Sequence, residues 1–250
     1  MRLAPLIPDL KQAAREAGFV VQIYGQVGNW PLLAMTRRGQ TPGGRNIYLS
    51  AGIHGDEPAG PFTLLKLLQA GTLPAKQNYW ICPLLNPAGL AAGTREEPGG
   101  LDLNRDYSGT QSREIRAHIA WANQHINSLD LSLHLHEDWE SRGFYCYELN
   151  LTGKPGCARA ILRAARHHLP IETAGIIDGH LADGGIIHRD SLPKIPEGDP
   201  EAIFLQQNFG GLSYTLETPS AFPLEKRVAG MEAAVLSALS KPDQEKWRSK

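Results

Sequence analysis

Cysteine is scarce in this 250-residue sequence, and the three present, Cys82, Cys146 and Cys157, include no CxxC pair. An odd, scattered set of thiols supports neither a disulfide framework nor a thiolate metal site. Charge of one sign is missing too: 25 Lys and Arg stand against 26 Asp and Glu, without a basic run. That excludes the electrostatic footprint of a nucleic-acid or anionic-membrane binder and leaves small molecules or peptides as partners. No window approaches the roughly 20 apolar residues of a membrane span. The opening MRLAPLIPDLKQAAREAG reaches Pro, Asp and Lys before an apolar stretch of signal-peptide length can form, so a cytoplasmic location is expected. There is no GxSxG elbow, which argues against a serine hydrolase, and no internal repeat.

With 42% apolar residues, the chain has the composition of an ordinary globular protein and the length for one sizeable core. Periodicity predicts a helix over 7–17 ended by Gly18, paired strands in FVVQIYGQV and PLLAMTRR, and a strand over 45–52. A helix over 58–71 follows, with Pro58 in the first turn, where its missing N–H costs nothing. NYWICPLL reads as a buried strand. Residues 86–111 form a long polar segment of the kind that usually serves function. A helix over 112–126 has Ser112 as its cap. LDLSLHLHED and GFYCYELN read as strands and CARAILRAARHHL as a helix. Residues 175–211, rich in Gly, Pro and Asp, read as a mobile loop or lid with a short helix near Glu201 to Gln207. A strand in GLSYTLET and an amphipathic helix in LEKRVAGMEAAVLSALS complete the chain, before a tail at 241–250 expected to be flexible. This order predicts one α/β domain over 1–250, a three-layer α/β/α sandwich on a mixed, mainly parallel sheet.

The chemistry concentrates in a few places. SAGIHGDEP puts His54 just past a strand and Glu57 three residues later at a helix start, where both can converge on one ion beyond the carboxyl end of the sheet. Imidazole and carboxylate suit Zn²⁺. HxxE alone is weak, because a Glu in a first helical turn is favoured by the helix dipole in any case. The strand LSLHLHED adds His134 and His136, which share one face. Imidazole gains nothing in a Leu-rich strand unless it is paired or metal-bound. Either could be the third ligand; His136 is nearer the strand end, and His134 could instead bond within the core or orient a neighbour. Three protein ligands with an open fourth position describe a catalytic zinc site, holding one ion and a water whose pKa falls to about 7. Glu217, an acid in the apolar strand SYTLETP, is placed to serve as the base.

These segments resemble, in chain order, the zinc carboxypeptidase family of metallopeptidases, near its murein peptide amidase relatives and the succinylglutamate desuccinylase and aspartoacylase group. AGIHGDE resembles the first zinc motif, which implies His54 and Glu57 as ligands. NPAGL, from Asn86, is similar to the family's NPDG, with Ala88 in place of the acid. GTR brings Arg95 to the position implied for an oxyanion-stabilising arginine. LDLNRDY resembles DLNRNF and implies Asn104 and Arg105 as binders of a substrate carboxylate. The strand ending in HED implies His136 as the third ligand, and YTLETP implies Glu217 as general base and acid. The family's mobile tyrosine has no counterpart between Tyr147 and Tyr214, and His188 or Arg189 could serve the pocket instead. The implied activity is zinc-dependent hydrolysis of an amide bond next to a free carboxylate in a small peptide or related compound. The alternatives are an N-acyl amino acid deacylase with the same metal apparatus, and a catalytically silent module that binds peptide carboxylates.

Overall fold

The computed structural model describes residues 5–240, so the tail at 241–250 lies outside the described residues. The elements run in the order α1 (Leu6–Glu16), β1 (Val20–Val27), β2 (Trp30–Arg37), β3 (Asn46–Ala51), α2 (Ala59–Ala70), β4 (Asn78–Cys82), α3 (Pro87–Ala92) and α4 (Arg113–His125). There follow β5 (Leu131–Asp138), β6 (Tyr145–Asn150), α5 (Ala158–Ala165), the small hairpin β7 (Ile176–Ile177) and β8 (His180–Leu181), β9 (Ile186–Arg189), α6 (Glu201–Phe209), β10 (Leu212–Pro219) and α7 (Leu224–Leu239). No helix among the described residues is long and apolar enough to cross a membrane.

One sheet of eight strands, ordered β1-β2-β4-β3-β5-β10-β6-β9, organises the molecule. The central four, β4, β3, β5 and β10, are parallel. Antiparallel pairing flanks them on both sides, through β1 and β2 at one edge and through β6 against β10 near the other. Helices α1, α2, α5 and α7 pack together on one face, and α4 and α6, whose Ile115, Trp121, Phe204 and Leu205 join a second cluster, lie on the opposite one.

The period-two alternation of the central strands decides what each face receives. In β5, Leu131, Leu133 and Leu135 enter the larger core with Leu10, Leu64 and Val235. Ser132, His134 and His136 therefore point to the other face. In β10, Leu212, Tyr214 and Leu216 join or pack against the same core, which turns Ser213, Thr215 and Glu217 the other way. In β3, Tyr48 joins the second cluster, with Trp80, Ile115, Trp121 and Phe204. A fully buried leucine such as Leu49 or Leu133 contributes about 1.5–3 kcal/mol. Core burial thus pins the register that brings the polar side chains of β3, β5 and β10 together at their carboxyl ends.

The 175–211 region is less of a lid than its composition predicts. Ile186 and Ile187 are buried and make β9 a strand of the main sheet beside β6, because two adjacent isoleucines gain more by covering the sheet than by facing water. The short helix expected near 201–207 is α6.

Candidate metal centre

Two local devices shape the loop after β3. Gly52 adopts φ +62° to turn the chain out of the strand, and a Cβ there would press on Leu84 and Pro61. Gly55 lies so close to α3 that a Cβ would collide with the backbone of Gly89 and Leu90. Its N–H donates to the Arg95 carbonyl at 3.3 Å. Asn86 caps α3 by accepting from the Gly89 N–H at 2.8 Å. The His54 loop and the 86–95 segment are thereby held against each other.

His54, Glu57 and His136 are all buried, and each offers one ligand-type atom within 4.8 Å of the others. His54 Nδ1 lies 2.6 Å from Glu57 Oε1, and His136 Nδ1 lies 2.9 Å from Glu57 Oε2. The imidazole rings are 5.0 Å apart, edge to face. Two imidazole nitrogens and a carboxylate, from a loop, a helix start and a strand end, form a donor set that fits Zn²⁺. His134 is not in this group. Its Nδ1 turns to Glu201 Oε2 at 2.8 Å, and its Nε2 is buried without a partner. Glu217 pairs in register with His136 on one side and with Tyr145 on the other, on the face that carries the histidines.

Electrostatics distinguish these groups. Burial works against ionising Glu57, but the two imidazoles outweigh it and hold the carboxyl at about 2. Burial also opposes the His54 imidazolium, yet the Glu57 and Asp102 carboxylates lift its pKa to about 8. For His136, burial prevails and the pKa falls. Burial first, then the nearby Glu57, Asp138 and Asp178 charges, push Glu217 well above the usual carboxylate range. Tyr145 donates to Asp138 at 2.9 Å and Tyr147 donates to Asp178, so two tyrosines of β6 hold the acids that surround Glu217.

Arg95 donates to Asp102 Oδ2 from Nε at 3.2 Å and from Nη2 at 3.0 Å, with Nη1 3.6 Å from Glu57 Oε1. It is therefore a cation at the edge of the donor set. Arg105 donates to the Asn104 carbonyl at 2.8 Å, and Asn104 Oδ1 accepts from the Glu201 N–H at 3.0 Å. Asp106, two residues on, is buried and accepts from the Gln111 and Ser112 main-chain N–H groups, supporting the start of α4. His188 lies against Glu148, and Arg189 Nη2 lies 2.8 Å from His180 Nδ1; both sit on β9, and neither belongs to the three-residue cluster. Two residues escaped the sequence reading. Asp102 Oδ1 is 3.2 Å from His54 Nε2, the kind of contact that orients a ligand imidazole, and its only signal was its place in LDLNR. Glu201 had none beyond being an acid at the start of an apolar helix.

Residues 43–172, just over half of the chain, match the profile of the succinylglutamate desuccinylase/aspartoacylase catalytic domain. Carboxypeptidase 2 of Trichophyton rubrum is 30% identical over 119 residues, which are 47% of this chain and 22% of that protein, so the similarity spans about a fifth of the relative's length. A candidate metallopeptidase from Shewanella amazonensis superposes with a TM-score of 0.81 at 28% identity, over 93% of this chain and 90% of that one. Another from Shewanella baltica reaches 0.83 at 24% identity, over 95% and 91%. Its likeness is one of fold.

Proposed function

Because the chain belongs to the succinylglutamate desuccinylase/aspartoacylase catalytic-domain family, we propose that it hydrolyses an amide bond beside a free carboxylate, in an N-acyl amino acid or a small peptide, with one zinc ion held by His54, Glu57 and His136. The observation that carries this reading is the convergence of those three buried side chains next to Glu217, which register pairs with His136. When bound, zinc would supply a Lewis acid that polarises the scissile carbonyl and acidifies the attacking water.

Glu217 takes the proton of that water and passes it to the departing amine nitrogen. Its environment of burial and neighbouring acids raises its proton affinity, which suits a group that must hold a proton between two transfers. Arg95, exposed along part of its length and anchored on Asp102, offers N–H donors to the oxyanion that develops on the carbonyl. Asp102 also keeps the His54 ring oriented. Asn104 and Arg105 receive the substrate carboxylate: the Arg105 guanidinium can hold it by two parallel hydrogen bonds, with the Asn104 amide as a further donor. A silent binding module would need the carboxylate-binding Asn104 and Arg105 but would have no use for an ionisable Glu217 in a buried, acid-rich position.

Family membership favours the acyl amino acid, and the similarity to Carboxypeptidase 2 favours the peptide. Zinc-reconstituted protein assayed on N-acyl amino acids and on peptides with free or amidated C-termini separates the two. Chelator-sensitive release from free-acid substrates is expected. Turnover of neither class, or equal turnover of the amidated forms, would refute the reading.

A further inference from the structure

Glu201 is a fully buried carboxylate that the mechanism does not use. Its side chain accepts from the Tyr48 hydroxyl at 2.6 Å and from the Ser50 hydroxyl at 2.6 Å, and it lies 2.8 Å from His134 Nδ1. Tyr48 in turn meets His118 at 2.9 Å, and His118 meets the Tyr107 hydroxyl at 2.8 Å. The cluster therefore spans β3, β5, α4, α6 and the loop that carries Asn104 and Arg105. The chain just before Glu201 is clamped to that loop as well. The Tyr107 N–H donates to the Asp199 carbonyl, the Asp199 N–H donates to Ser108 Oγ, and a Cβ on Gly198 would collide with the Arg105 carbonyl.

The contact that matters lies on the main chain. The Glu201 N–H donates to the Asn104 side chain at 3.0 Å. A backbone N–H can only donate, so the atom it meets must be Oδ1. Nδ2, with two donors, is left pointing elsewhere. It makes no hydrogen bond within the described residues and is not among the buried polar atoms that lack a partner.

We propose that Glu201 is a positioning residue for the substrate carboxylate: its N–H sets the Asn104 amide with Nδ2 as the presented atom, and its side chain ties that arrangement to β3 and to His134 on the strand of His136. The inference rests on the reading that Asn104 and Arg105 receive a carboxylate. The amide then selects an anion because an acceptor, and not a donor, has been turned inward.

The test uses zinc-loaded protein with succinate and its diamide as probes, following the Asn104 side-chain amide by nitrogen-15 NMR together with zinc content. Succinate should shift the wild-type Asn104 Nδ2 signal and bind in preference to the diamide. Asn104→Asp, which keeps an acceptor for the Glu201 N–H but presents an oxygen, should weaken succinate about tenfold to a hundredfold and reverse the preference. Glu201→Ala should lower the succinate-to-diamide ratio several-fold with zinc retained, and Glu201→Gln should restore part of it. Should Glu201→Ala not fold, the reversal in Asn104→Asp, which leaves the buried cluster intact, and the partial ratio in Glu201→Gln carry the test. Retained preference for succinate in Asn104→Asp, or an unchanged ratio in both Glu201 variants, would overturn the inference while leaving the proposed function standing. If succinate fails to shift the wild-type signal, the carboxylate reading itself is overturned, and this inference with it.

Discussion

Zinc uptake by the metal-free protein should release more than one proton at neutral pH, and close to one of them should come from His54. Glu57 and Asp102 lift the His54 pKa to about 8 against the opposing effect of burial. At pH 7 about nine-tenths of the rings are then imidazolium, by the ordinary titration relation. A ligand nitrogen must be deprotonated to bind a metal. His136, with its pKa lowered, and Glu57, held at about 2, have already lost theirs. The His54 share of the release is roughly 0.9 proton at pH 7, about 0.5 at pH 8 and about 0.1 at pH 9, to which a zinc-bound water of pKa about 7 would add about 0.5, 0.9 and 1.0. The His54 contribution to the apparent affinity should therefore rise about tenfold between pH 6 and pH 7 and flatten above pH 8. Titration calorimetry in buffers of different ionisation enthalpy measures the release directly. Release at pH 7 no greater than the roughly 0.5 proton of the bound water, or an affinity rise of no more than about twofold from pH 6 to pH 7, would refute the assignment of His54 as an imidazolium partner of Glu57. The same shifts set the stability of the metal-free form. The raised His54 pKa gives stabilisation that is complete below 6.5 and lost as pH rises through about 8. The depressed Glu57 pKa gives stabilisation that is present above 4.5 and lost as pH falls towards about 2.

Glu217→Gln should retain zinc and lose turnover by about 10²- to 10⁴-fold; undiminished turnover at full occupancy removes Glu217 from proton transfer. The same variant should raise the melting temperature of the metal-free protein at pH 7, because an acid whose folded pKa is raised costs stability once it must ionise. His136→Ala should abolish tight zinc binding, whereas His134→Ala should keep it, since His134 faces Glu201; metal analysis after dialysis in the reverse order would move the ligand to His134. Asp102→Asn keeps an acceptor for His54 Nε2 but removes the charge, and should weaken zinc about 10- to 100-fold in a competition assay. Unaltered affinity would mean that Asp102 serves Arg95 alone.

Much of this was legible in the residues. The spacing of His54 and Glu57 placed an imidazole and a carboxylate on a strand end and a helix start, and the alternation of LSLHLHED put both histidines on one face, as β5 shows. Those are short-range consequences of strand and helix period. Nearness to the strand end favoured His136 over His134 as the partner of Glu57, but period alone did not decide, because both satisfy it equally. The deciding partner of His134 is Glu201, 67 residues further along the chain, on a short helix whose sequence carries no sign of the strand it meets. The 175–211 segment was read as a lid from its glycines and prolines, and only the exposed edge of β6 gave Ile186 and Ile187 a surface to cover. The sequence by itself therefore determined the order of the main strands and helices, the faces and the local chemistry of the candidate metal site, but neither α3 within 86–111 nor the strands β7, β8 and β9 within 175–211. Tertiary packing alone decided which buried polar groups meet, because a buried donor or acceptor must find its partner among whatever elements fold against it.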